Sequence, residues 1–96
     1  MTIEAAVRHA PERQRYEYVV DGEVRAIAEY RIDGGMAVMH HPYTVPEYRG
    51  RGLAACVVEA ALDDFRTRGM HVVPQCSFVA EFVATHPEYQ DLVASA

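Results

Sequence analysis

The first half of the chain alternates apolar and polar positions with a period of two, the pattern of half-buried strands. Tyr16, Tyr18 and Val20 fall on one face, and Asp21-Gly22 follows as a hairpin turn. Val24, Ala26, Ala28, Tyr30 and Ile32 carry the alternation to Asp33-Gly34-Gly35, and Met36 to His40 reads as the next strand. Ile3 to Val7 adds an edge strand, so the expected arrangement is an antiparallel meander. His41-Pro42 is expected to interrupt pairing, because proline brings no ladder donor. Tyr43 to Val45 then resumes as a short strand ending at Pro46. A strand broken there splays from its neighbour and leaves backbone groups open to a ligand.

After Gly50 the period changes to that of a helix running to Arg68. Leu53, Val57, Ala61 and Phe65 recur at steps of four, flanked by Val58 and Leu62. Glu59, Asp63 and Arg66 form the polar side, Asp64 and Arg68 stand at i,i+4, and Gly69 is the C-cap. His71-Val72-Val73-Pro74 is a strand parallel to the one before the helix, through a β-α-β crossover. Ser77 caps a second helix with Phe78, Val79, Phe82 and Val83 as its buried side. His86-Pro87 ends that helix, and Glu88 to Val93 makes a last turn packing Tyr89 and Leu92. There is no repeat, linker or low-complexity stretch, so residues 1–96 read as one α+β domain.

The junction of the two patterns carries the chemistry. Val45-Pro46-Glu47-Tyr48-Arg49-Gly50-Arg51-Gly52-Leu53-Ala54 is an extended segment, a glycine turn and a helix start. The first N–H groups of a helix lack intrahelical partners, and the helix dipole places partial positive charge there. Gly50 and Gly52 let a phosphate approach the backbone, and Arg49 and Arg51 can add charge-assisted hydrogen bonds. The spacing fits neither the P-loop nor the dinucleotide G-x-G-x-x-G. A phosphate-bearing ligand is expected here.

Composition narrows the partners. The net charge is −5 and every basic residue is arginine, which argues against a nucleic-acid surface. No apolar run approaches the roughly 20 residues of a membrane span, and the N-terminus shows no signal peptide, so a cytoplasmic location is expected. Cys56 and Cys76 are too few for a zinc pattern, and no metal-ligand spacing joins the histidines. Exposed strand edges make a monomer or weak homodimer the expected state.

A meander, a splayed strand ending at Val45-Pro46 and the Arg49–Ala54 turn opening a long helix together resemble the GNAT superfamily of acyl-CoA-dependent N-acetyltransferases. Arg49, Gly52 and Ala54 fill the fixed positions of its Gln/Arg-x-x-Gly-x-Gly/Ala signature. Val72-Val73-Pro74-Gln75-Cys76-Ser77-Phe78-Val79 and His86-Pro87-Glu88-Tyr89 resemble a small single-domain subfamily of similar length. The resemblance implies a mixed, mostly antiparallel sheet with a splayed central strand and two main helices. It also implies that acetyl-CoA lies in the splay. The pyrophosphate would rest on Arg49, Gly50, Arg51, Gly52, Leu53 and Ala54, and the pantetheine and thioester on the backbone of Tyr43, Thr44 and Val45. The small subfamily lacks the helices that larger members place between their first strands, which leaves the acceptor pocket open or shared with a partner.

Under that resemblance Cys76 would sit near the thioester, at a helix N-terminus of the kind that favours thiolate. It is either a nucleophile that takes the acetyl group or a buried thiol beside Phe78. His40 and His41 are candidates to deprotonate the acceptor, against a structural role for each, and alternation lets only one face a given site. Related sequences place Glu where this chain has Thr44, which removes an obvious carboxylate base. Cys56, His9 and His71 receive no role, and His86 is expected to pack with Pro87. Three functions follow: acetyl transfer to a small-molecule or protein amine, a CoA-binding module without turnover, or another phosphate-ligand binder. The sequence names no acceptor.

Overall fold

The computed structural model describes residues 5–94. Five strands, β1 (Ala5–Ala10), β2 (Arg15–Val20), β3 (Glu23–Asp33), β4 (Met36–Thr44) and β5 (His71–Pro74), form one sheet in chain order. All neighbours are antiparallel except β4 and β5, which α1 (Leu53–Thr67) connects as a parallel pair. A second helix, α2 (Ser77–Thr85), and a 3-10 segment at Pro87–Leu92 complete the α+β fold. Only a 3-10 turn at Pro11–Arg13 links β1 to β2.

Apolar spacing explains the packing. Val57, Val58, Ala61, Leu62 and Phe65 of α1 bury against the sheet face that carries Tyr16, Ala26, Ala28, Tyr30, Ala37 and Met39. Val79, Phe82 and Val83 of α2, with Tyr89 and Leu92, join the same core. Burying Leu62 completely is worth about 1.5–3 kcal/mol on transfer scales. At its far end α1 closes with a Schellman motif, in which the Met70 N–H donates to Phe65 O at 2.9 Å and the Gly69 N–H to Arg66 O at 3.0 Å. The alternate sheet positions, including Arg8, Arg15, Glu17, Ile27, Glu29, Arg31, His41 and Tyr43, lie outside this core, so the helices pack on one face.

Several sequence expectations are corrected. The edge strand lies at Ala5–Ala10, and positions 3 and 4 fall outside the described residues. His41-Pro42 does not break β4, because Ala28 pairs with Pro42 and Ile27 with Tyr43 in continuous register. The Val45 N–H donates to Arg25 O at 2.9 Å, which marks that pair as hydrogen-bonded. Alternating rungs then put Pro42 at a non-bonded pair, where a missing N–H costs nothing. The irregularity is a bulge at His40 instead, since Glu29 pairs with His41 but Tyr30 with Met39. At α2 the N-cap is Cys76, Ser77 is already helical, and Phe78 is 40% exposed rather than buried.

Candidate functional site at the splayed strand

β4 and β5 pair only from Met36 with His71 to Met39 with Pro74. The N–H groups of Gln75 and Cys76 both donate to Met39 O, at 3.0 and 3.3 Å, and there the chain after β5 turns away into α2. β4 continues alone on that side from His40 to Thr44. By the same alternation, Tyr43 and the Val45 N–H face β3, the Val45 carbonyl accepts the Tyr48 N–H at 2.9 Å, and the Pro42 carbonyl and the Thr44 N–H point into the gap. The Thr44 carbonyl accepts the Arg49 Nε–H at 3.1 Å, which ties the strand end to the glycine turn.

Opposite this strand end stands the N-terminus of α1. Gly50 and Gly52 have φ of +82° and +76°, left-handed values that favour glycine, and Gly52 is the N-cap. Gly52 offers no side-chain cap, and the first turn contains no acidic residue. The Cys56 N–H is the one that reaches Gly52 O, at 3.1 Å, so Leu53, Ala54 and Ala55 precede the first intrahelical partner. These residues, with Thr44, Tyr48 and Phe78, line a cavity of about 240 Å³. The exposed Phe78 ring is thus a wall of the cavity, and α1 directs uncapped N–H groups and its positive dipole end into it.

The turn's arginines fold back on their own aromatic neighbours. Arg49 Cζ lies 5.7 Å from the Tyr43 ring centroid, Arg51 Cζ 4.7 Å from that of Tyr48, and Arg25 Cζ 5.0 Å from the same Tyr48 ring. Cys76 is half-buried, packs against the core and begins α2 at the point where β4 and β5 part. His40 is exposed at the bulge. His41 is exposed too, stacks on Tyr43 at 6.3 Å between centroids and pairs across the ladder with Glu29. Cys56 is exposed on α1. Among the described residues no group of side chains is arranged to hold a metal, and no helix is long and apolar enough to cross a membrane.

One polar cluster escaped the sequence reading. His9 stacks on Tyr16 with centroids 4.2 Å apart, the Tyr16 hydroxyl donates to Asp64 Oδ2 at 2.5 Å, and Arg68 Nε donates to the same oxygen at 2.9 Å. Arg68 Nη2 also donates to His9 Nδ1 at 3.3 Å, which leaves His9 Nε2 to donate to the Tyr30 hydroxyl at 2.6 Å. That is the neutral imidazole tautomer. Burial, reinforced by the Arg68 cation, holds His9 below its ordinary pKa. Burial and the Asp64 carboxylate push the Tyr16 hydroxyl well up. For Asp64, burial works upward, but the bonds from Tyr16 and Arg68 outweigh it and hold the carboxyl below its usual value. This cluster braces the C-terminal half of α1, at the opposite end from the glycine turn.

Residues 15–92 match the sequence profile of the family described as GCN5-related N-acetyl-transferase. Among solved structures, the chain is similar to a GCN5-like protein from Staphylococcus aureus determined in solution by NMR, with 17% identity, a TM-score of 0.72, and coverage of 95% of this chain and 89% of that one. It is also similar to the crystal structure of the ribosomal-protein-S18-alanine N-acetyltransferase from Escherichia coli, with 18% identity, a TM-score of 0.58 and coverage of 67% and 42%. The chain therefore spans less than half the length of the Escherichia coli enzyme. No curated protein matches the chain in sequence.

Proposed function

Because the chain belongs to the GCN5-related N-acetyltransferase family, we propose that it transfers an acetyl group from acetyl-CoA to an amine. The observation that carries this reading is the uncapped N-terminus of α1, opening into a cavity beside the splayed half of β4. In this reading the N–H groups of the turn from Gly50 to Ala54 hold the pyrophosphate, with Arg49 and Arg51 setting the shape of that turn. The pantetheine runs along β4, where the Pro42 carbonyl and Thr44 N–H are the backbone groups turned to the gap. Acetyl-CoA supplies an acetyl group already activated as a thioester.

The amine has to give up a proton, form the new C–N bond and displace the thiolate, which takes a proton on leaving. A backbone donor such as the Thr44 N–H stabilises negative charge on the carbonyl oxygen as it develops, worth about 3 kcal/mol in comparable sites. His41 takes the amine proton, being exposed beside the gap. His40, on the bulge, is the alternative base. Cys76 adds a two-step route in which its sulfur takes the acetyl group by thioester exchange and passes it to the amine. Its position at the last joined point of β4 and β5 supports that role.

Release of free CoA with a library of primary amines tests the transfer. Acceptor-dependent release is expected. Saturable acetyl-CoA binding without release from any amine would instead identify a binding module. Intact mass after incubation with acetyl-CoA tests Cys76: an acetyl adduct is expected that Cys76→Ala abolishes. Turnover unchanged in that variant, with no adduct in the wild type, would leave direct attack by the amine as the route.

A further inference from the structure

We propose that the acceptor is an amino-carboxylate, an amine with a carboxylate a few atoms away, bound on the sheet face opposite the helices. The inference rests on the acetyl-transfer reading and adds the class of its second substrate. It comes from what stands at the splay on that face. Glu29 and Arg31 lie two residues apart on β3 and therefore share the face, about 7 Å apart along the strand. They straddle the point where β4 leaves β5. Arg31 pairs with Val38, one residue before the last joined rung, and Glu29 pairs with His41, just past the His40 bulge.

Neither Glu29 nor Arg31 makes an ion pair among the described residues, although Arg15 faces Glu29 across the β2–β3 ladder. The arginines of β1, β2 and the turn between them are committed, since Arg8, Arg13 and Arg15 converge on Glu17 at 2.8, 3.5 and 2.7 Å. Arg31 instead reaches across β4 to a neutral partner, its Nη1 donating to Gln75 Oε1 at 3.0 Å. That bond anchors the guanidinium to the segment after β5 while leaving its charge and remaining N–H donors available to a carboxylate. Glu29 makes no ion pair or side-chain hydrogen bond, although it is half-buried. The rings of His41 and Tyr43, stacked on the next strand, give the site an aromatic wall, and Tyr43 is 42% exposed.

A fixed cation on one side of the splay and an unpaired carboxylate on the other match the two ends of an amino-carboxylate. The ammonium goes to Glu29, next to His41, and the carboxylate to Arg31. Because the face is open, no helix has to move to admit the molecule.

The test compares the free amino acids with their carboxamides, which keep the amine and lose the charge, as acceptors for the wild type, Arg31→Gln and Glu29→Gln. The wild type is expected to favour the carboxylate form by about tenfold in kcat/KM, the size of one charge-assisted bond. Arg31→Gln should bring that ratio close to one, and Glu29→Gln should raise KM for both forms. Equal use of both forms by the wild type would overturn the proposal. So would a ratio that survives in Arg31→Gln, or no acetylation of any amino acid by a protein that binds acetyl-CoA. Failure to bind acetyl-CoA at all would strike the proposed function itself.

Discussion

Glu17 sits on the sheet face away from the helices, yet it is 1% exposed, because Arg8, Arg13 and Arg15 close over it. Burial alone would raise its pKa, but the bonds from Arg8 and Arg15 outweigh that and hold the carboxyl below its usual value. Two of the three arginines are 58% exposed, so water screens part of the attraction. Glu17→Gln, which keeps the shape and removes the charge, is expected to cost about 1–2 kcal/mol in urea unfolding. A cost below a few tenths would show the cluster to be decoration. The Asp64–Arg68 pair was legible as an i,i+4 spacing, but the rest of the cluster around Asp64 was not, for a physical reason. Tyr16 and Asp64 are 48 positions apart and Arg68 and His9 59, and only the packing of α1 across the sheet brings them together.

The elements divide according to how local their causes are. The α1 helix was legible because its stripe, from Leu53 to Phe65, and its Gly69 terminus are written in adjacent residues. β5 was legible at the residue for the same reason. β4 was misread because the effect of Pro42 depends on which side its nitrogen faces, and that depends on register with β3. Phe78 was misplaced because spacing finds an apolar position without telling core from cavity wall. The glycine turn gives a prediction in which stability and binding move in opposite directions. Ala54→Asp puts a carboxylate in the uncapped first turn of α1 and should stabilise the helix by about 0.3–1 kcal/mol. The same charge competes for the free N–H groups, so calorimetry should show acetyl-CoA affinity falling by about tenfold or more. A variant both more stable and equally tight would place the phosphates elsewhere.

At the scale of the whole molecule, the titrating groups set a window of maximal stability. Glu17 and Asp64 are held below their ordinary values, so their contribution is present above the usual carboxylate range and lost as pH falls through the lowered values. His9 is held neutral below its ordinary 6.5, so acidification also charges the unfolded chain in preference to the folded one. Tyr16 and Tyr89 are raised from 10.0, Tyr89 by burial and its bond to Asp63, so stability falls once the pH exceeds that value and the unfolded phenols ionise. Thermal unfolding should therefore be steepest in pH on either side of a plateau between about 6.5 and 10. Tyr16→Phe should flatten the alkaline limb. Loss of stability starting near neutrality on the alkaline side would contradict this.

The overall architecture was the more legible half of the problem, since meander, crossover and helix stripe are each repeated many times along the chain. The acceptor side was not, because it is assembled from single residues of β3, β4 and the segment after β5. The central claim is that acetyl-CoA is held by backbone N–H groups at the head of α1 and along the splayed part of β4. Titration of acetyl-CoA into the isotopically labelled protein, followed by amide NMR shifts, tests it most directly. The largest shifts are predicted at Thr44 and from Gly50 to Ala55, with Cys76 and Phe78 following and the His9–Asp64 end of the molecule silent. Saturable shifts centred elsewhere, or none at all, would contradict the account.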